Sequence, residues 1–331
     1  MADPLRPPAP INEQPVSNDP VVPLSGTTPP PSGRAGERLF ARYAYAPNHR
    51  GYCGPGDSTA LAELASTGRT EADVRSIASR FSGAWPYLCV LAEVTGIEDP
   101  LDEEVVRAYW TGSPLLDEVN RARFWRKLLD RIAAAGAGRY WAHLTPALLS
   151  EAIPTHGFHV FGVYPWTRLL SSTAFPATAV LPSPATALPA FPATAPLPFP
   201  ATAPASTASG PDAPGSAAVG HALRVLDSCR IRWARVISVE GDQAVVCGRR
   251  LAWDSRELRL GEETEDPVRL TDAGRAFVAD VSPGDWLAVH WDLACDRLAA
   301  DELWQLRRWT DWQLTATNAR LAREPGRAPS P

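Results

Sequence analysis

Between residues 36 and 153, apolar side chains recur three and four positions apart, the spacing of helices with one buried face. Leu39, Phe40, Tyr43 and Ala44 form one stripe. Val74, Ile77, Ala78 and Phe81 form a second, and Thr70 with Asp73 frames its start in the manner of a capping box. Pro86 suits the first turn of a helix carrying Tyr87, Leu88, Leu91 and Ala92, and Gly96 suits its end. Asp99-Pro100 opens another with Val105, Val106, Tyr109 and Trp110. A longer helix is predicted over 115–135, and the segment ALLSEAI makes a last short one. At His156 the pattern changes. HGFHVFGVYPW is aromatic and β-branched, which predicts a strand that pairs elsewhere, with a C-terminal barrel as its candidate partner.

From Ala222 the alternation has period two. Cys229, Ile231, Trp233, Ile237 and Val239 stand against Arg230, Arg232 and Ser238, which predicts a strand with one buried face. Gly241-Asp242 reads as a turn and DAG as a hairpin. QAVVCG, RRLAW and PVRL are short strands, and GDWLAVHWDLAC closes the series. Short strands with turns this close predict a small barrel. Leu303, Leu306, Trp309 and Leu314 predict a terminal helix.

Two segments carry no such periodicity. Residues 1–33 are rich in Pro, Ser, Asn and Gly and predict a disordered tail. Within 173–218, PATA begins at Pro176, Pro184, Pro192 and Pro200, a composition that cannot fill a core and predicts an extended linker. The expected organisation is α+β. A helical domain (34–172) ends in a strand and leads through the Pro-rich linker (173–218) to a small OB-like β-barrel (219–300). A C-terminal helix (301–322) and a disordered end (323–331) follow.

Composition narrows the function classes. The net charge of −5 over 331 residues argues against a general nucleic-acid binder. Nearly all basic residues are arginine, Lys127 being the one lysine. No basic segment followed by an apolar run opens the chain, and no apolar stretch is long enough to span a bilayer, so no membrane association is expected. The five cysteines, an odd number without a close recurring pair, fit free thiols in a reducing cytoplasm.

Three clusters carry candidate chemistry. Cys53 lies in GYCGPGD ahead of a helix predicted to begin near Asp57, and a helix start favours thiolate. With His156 or His159 it would serve a thiol-dependent enzyme. A tight turn around a packed cysteine is the simpler reading, because three residues apart on a strand the two histidines face opposite sides. Cys229 and His290 form the second cluster, with Cys295 read as a buried helix-start cysteine and Cys89 and Cys247 as core. The third is the terminal helix. Trp304, Trp309 and Trp312 exceed one buried stripe, and Arg307 and Arg308 read as a solvated face or as a grip on an acidic partner. No nucleophile-elbow motif is present, so the balance lies against an enzyme.

The run Gly284-Asp285-Trp286-Leu287-Ala288-Val289-His290, followed by Ala294 and an acidic helix start, resembles the closing strand of the HypC/HupF family of hydrogenase maturation chaperones. Cys229, seven residues before Val236, is similar in spacing to that family's N-terminal cysteine strand, with Trp233 where the family's proline follows. The resemblance covers about a quarter of the chain. It implies an OB-like barrel that binds the hydrogenase large-subunit precursor or maturation proteins. Its partner-binding residues would be Cys229, Trp233, Asp285, Trp286 and His290. Cys229 and His290 would hold a transient iron centre carrying cyanide and carbonyl ligands; no resident cofactor is expected. A second resemblance runs through Gly51-Tyr52-Cys53-Gly54-Pro55, Gly83-Ala84-Trp85-Pro86-Tyr87, Ala108-Tyr109-Trp110 and His156 to Phe161. These segments look like an uncharacterised family, a domain of unknown function, whose genes lie beside those of nickel–iron hydrogenases.

Overall fold

The computed structural model describes residues 34–135, 141, 143–171 and 214–323. The expected tail (1–33), most of the expected linker (173–213) and the chain end (324–331) lie outside the described residues.

The first layer is helical: α1 (Ala35–His49), α2 (Thr59–Thr67), α3 (Val74–Ser79), α4 (Trp85–Thr95), α5 (Glu103–Trp110) and α6 (Arg121–Ala134). Gly96 ends α4 with φ +79°, the left-handed closure its position implies. Asp73 caps α3 by accepting from Ser76 N at 2.9 Å, whereas Thr70 turns away and donates to Glu63. Asp102, rather than Asp99, caps α5. The long helix expected over 115–135 is split into a 3-10 turn (Pro114–Glu118) and α6, because the Asn120 side chain caps a new start.

The strand expected at His156 is a helix. After a 3-10 turn (Pro146–Glu151), α7 (His156–Phe158) continues as a π-helical turn (His159–Val163), with Thr155 as its cap. All its described side chains except Gly157 are buried, so bulky β-branched residues are tolerated by packing on every side. α8 (Trp166–Ser171) follows. The chain then re-enters as α9 (Pro214–Cys229). Pro214 to Cys229 therefore form a helix, not the end of a linker and the start of a strand. Cys229 is its last residue.

The second layer is a five-stranded sheet of β1 (Arg232–Glu240), β2 (Gln243–Trp253), β3 (Leu258–Arg269), β6 (Trp286–His290) and β7 (Leu293–Arg297). A two-stranded ribbon, β4 (Thr271–Asp272) with β5 (Arg275–Ala276), lies beside it. Strand order is β1-β2-β3-β7-β6, and β6 pairs back on β1, so the pairing closes on itself. Ala234, Val236, Val246, Val268, Leu287 and Val289 fill its interior. Gly241 turns β1 into β2 with φ +60°. α10 (Ala300–Leu321) completes the chain, with the Glu302 side chain accepting from Ala299 N.

One apolar core runs through both layers, from Phe40 and Leu88 to Leu293 and Trp309. Arg42 pairs with Asp296 at 2.8 Å, and Arg107 with Glu302, across the joint. α10 is held at its far end by Glu151, which is fully buried and meets Thr317, Gln313 and Arg320. Removing that carboxylate strands a buried guanidinium, a loss on the order of 3 kcal/mol. Glu151→Ala is therefore expected to lower the melting temperature by several degrees, and Glu151→Gln by less; scanning calorimetry on the two variants checks the order.

Candidate functional site

The site is assembled where α1, the GYCGPGD loop, α5, α7, the end of α9 and the β6–β7 turn meet. Asn48, buried at the end of α1, donates from Nδ2 to the carbonyls of Cys53 (2.7 Å) and Pro55 (2.5 Å), which pins the loop. Tyr52 stacks on Trp291 with ring centroids 3.9 Å apart. Trp291 N donates to Ser228 O at 3.1 Å, and Arg50 reaches the Trp291 carbonyl. Trp291 and Asp292 form the β6–β7 turn with φ +52° and +59°, so a tryptophan occupies a left-handed position usually given to glycine or asparagine. Cys229, at the end of α9, lies beside the Trp291 indole, and Cys53 lies near Cys229.

Three imidazoles share this interior. His156 and His290 have ring centroids 5.3 Å apart, and His156 and His159 6.2 Å. On a helix, three residues apart is one face, so the two histidines that a strand would separate are brought together. His156 Nε2 donates to Cys229 O at 2.8 Å, which leaves its Nδ1 an acceptor 3.2 Å from Tyr109 OH, whose one hydrogen is shared between that nitrogen and Gly83 O at 3.1 Å. His290 Nδ1 donates to Tyr43 O at 2.8 Å. The Cys229 carbonyl also faces His290, but His290 Nε2 completes no hydrogen bond. Only a protonated His290 would serve both carbonyls, and burial opposes that state. His159 Nδ1 meets Tyr87 OH at 3.3 Å, with Gly83 so close that a Cβ there would stand 2.7 Å from Nε2.

Electrostatically the centre is uncharged. Burial lowers the pKa of His156 to about 3 and of His290 to about 4, and holds His159 well below its usual value. Cys53 keeps partial exposure as a residue, yet burial pushes its thiol up to about 12. Cys229 is raised further by burial and by the neighbouring Cys53. The thiolate expected at Cys53 is thus overturned: α2 begins six residues later at Thr59, and Asp57 caps its first turn by accepting from Thr59 N at 2.9 Å. Among the described residues no three His, Cys, Asp or Glu side chains are arranged to hold a metal ion.

Trp110 closes the centre off. Its ring lies 4.6 Å from His156, and its other side lines a small cleft with Thr111, Thr155, Arg230 and Trp309. Beside the centre, at the open end of the sheet, Asp227, Arg230, Arg232, Arg250, Asp266 and Asp292 form an ion network. Arg232 is almost wholly buried there, and desolvation lowers it to about 10.

The candidate residues divide between two places. Cys53, His156, His159, Cys229 and His290 converge in the buried centre. Trp233, Asp285 and Trp286 do not. Trp233 and Trp286 lie on the outer face of the sheet under Arg307, and Asp285 stabilises the turn before β6 by accepting from Ser282 N and pairing with Arg297 at 3.1 Å. Cys295 is buried on β7 rather than at a helix start, and Cys247 faces outward beside Glu263 rather than into the core. Sequence reasoning passed over Tyr43, Tyr109, Trp291 and Asn48. Tyr109 and Trp110 sit within one quoted motif, and a tryptophan followed by aspartate between two strands is the signal that marked Trp291.

A two-layer α+β chain with a buried thiol and imidazole centre at the joint is the class these features define. Residues 32–183 and 215–324 match the model of a family of unknown function, DUF6390, and the chain belongs to that family. Neither the curated proteins nor the solved structures contain a match to the chain. Among the described residues no helix is long and apolar enough to cross a membrane.

Two outcomes follow. The histidines bind protons in the unfolded chain near pH 6.5 but not in the fold until about pH 4 or below, so stability is full above about 6.5 and falls as pH drops through that window. The loss reaches about 3 kcal/mol for His290 alone. Urea unfolding at neutral pH and at about pH 5 checks the slope; a flat profile contradicts the buried neutral rings. Iodoacetamide at neutral pH should alkylate Cys247 well before Cys53, Cys229 and Cys295, as read by peptide mass spectrometry.

Proposed function

We propose that this protein is an accessory factor for nickel–iron hydrogenase assembly. It binds a maturation partner or the large-subunit precursor through the sheet, which we read as an OB-like barrel of HypC type. The observation that supports the reading is the convergence of Cys229 and His290. They are far apart in sequence, and they are the two positions that the family likeness pairs. Here the Cys229 carbonyl faces the His290 ring. A soft thiolate beside an imidazole suits an iron centre carrying cyanide and carbonyl as cargo. In this conformation the thiol is protonated and enclosed, so taking up such cargo requires the α1–α5 layer to part from β6. A cytoplasmic location accords with free thiols.

A thiol-dependent enzyme using Cys53 with His156 or His159 is less well supported. The thiol holds its proton, and the nearer nitrogens of both rings are already occupied.

The experiment is a deletion strain of the native host complemented with the wild-type chain, Cys229→Ser or His290→Gln. Each variant is checked for melting temperature, and hydrogenase activity and co-elution of the large-subunit precursor are measured. Loss of activity on deletion, with at least about a tenfold deficit in the stable variants, is the expected result. Full hydrogenase activity in the deletion strain would end the proposal.

A further inference from the structure

The outer face of the sheet carries a surface that the buried centre does not use. On β1 and β6, Arg235 and Trp286 are register partners, and Trp233 pairs with Ala288. All four side chains point outward, because Arg232, Ala234 and Leu287 point in. α10 borders this face: Leu298 N donates to Trp286 O at 2.8 Å just before the helix begins. Arg307 then lies over both indoles, 4.8 Å from the Trp286 centroid and 5.7 Å from that of Trp233. Trp304, one turn earlier on α10, is 38% exposed, the one exposed tryptophan among the described residues, and it borders this cluster from beneath Arg308, 5.3 Å from its ring centroid.

The arginines on this surface make no close ion pair, although Asp311, one turn along α10, feels Arg307. Among the described residues neither Arg235 nor Arg307 has a carboxylate within ion-pair distance, although both are exposed. Arg308, by contrast, is consumed by Asp117 at 2.5 Å. Packed over two indoles, the Arg307 side chain has given up part of its rotamer freedom, so its guanidinium meets an incoming carboxylate at a reduced entropic cost. Tryptophan and arginine together are the residues that dominate binding energy at protein interfaces.

We infer that Trp233, Trp286, Trp304, Arg235 and Arg307 form a docking surface for an acidic segment of a partner protein. The segment lies along the border of β6 and α10, its carboxylates on Arg235 and Arg307 and its apolar side chains on the indoles. Two strands from β1, Glu263 and Glu265 are exposed on one face of β3, with Glu265 in line with Arg235 through Cys247, and they disfavour both a longer acidic run and a phosphate backbone. That acidic row, with the net charge of −5, favours a protein segment over nucleic acid.

The test is a fluorescence titration of the full chain with two fluorescein-labelled peptides, one of Glu and Leu at helical spacing and one with Lys replacing Glu, and with a labelled oligothymidine. The acidic peptide is expected to bind, weakening as salt rises, and the basic peptide and the oligonucleotide to bind at least about tenfold more weakly. Arg307→Glu and Arg235→Glu should each reduce binding of the acidic peptide about tenfold, Trp304→Ala should reduce it severalfold, and Arg80→Glu, on a remote exposed helix end, should not. Arg235 makes no ion pair, so its variant keeps the test sound should Arg307→Glu disturb α10. No binding of the acidic peptide, equal binding of the basic one, tighter binding of the oligonucleotide, or indifference to both arginine variants would overturn the inference.

Discussion

The arrangement depends on the contact between α1 and the β6–β7 hairpin. His290 donates to the Tyr43 carbonyl, Arg42 pairs with Asp296, and Arg50 reaches the Trp291 carbonyl. Pro47 lies inside α1 and has no N–H to give the Tyr43 carbonyl four residues before it, so His290 supplies from the sheet the donor that the helix lacks. The two layers are thereby joined along the second half of α1 and the residue that follows it. The sheet keeps an apolar interior of its own, but its outward residues such as Ala288, Leu293 and Cys295 complete the core of the helical layer. The thiols and imidazoles lie on that seam and owe their neutrality to it. Water is excluded by both layers at once, and His290 finds its partner on the opposite side while His156 and His159 meet tyrosines of their own layer.

Much of the fold was legible. Helical stripes such as Val74, Ile77 and Phe81, the Gly96 stop and the Gly241 turn follow from local chemistry that tertiary packing did not override. The failures share a cause. His156 to Val163 looks like a strand because aromatic and β-branched residues favour one, but enclosure on all sides removes the cost that keeps them out of helices. Cys229 was placed on a strand because alternation starts nearby. The strand begins three residues later, and Cys229 instead presents its carbonyl as the final residue of α9.

The site was legible as separate residues and not as one place. Cys53 with His156, and Cys229 with His290, appeared as rival pairs, and the fold brings them to one seam. No spacing rule links the loop after α1, the end of α9 and a β-turn, since the link is made only by packing. The protonation of the thiols is likewise invisible in sequence. A helix start near Cys53 suggests a thiolate, whereas burial, which sequence does not report, sets the opposite sign.

α8 and α9 pack side by side, with the Trp166 ring 5.6 Å from His221, although more than forty residues separate the end of one from the start of the other. Both ends of the intervening stretch are therefore anchored at one doorway on the surface. The family's own match resumes at residue 215, beside the start of α9. Closure cost grows only with the logarithm of loop length, about 0.6 kcal/mol per doubling. Joined by a flexible loop, two ends held this close would leave the two-layer body almost indifferent to the number of eight-residue PATA units between them.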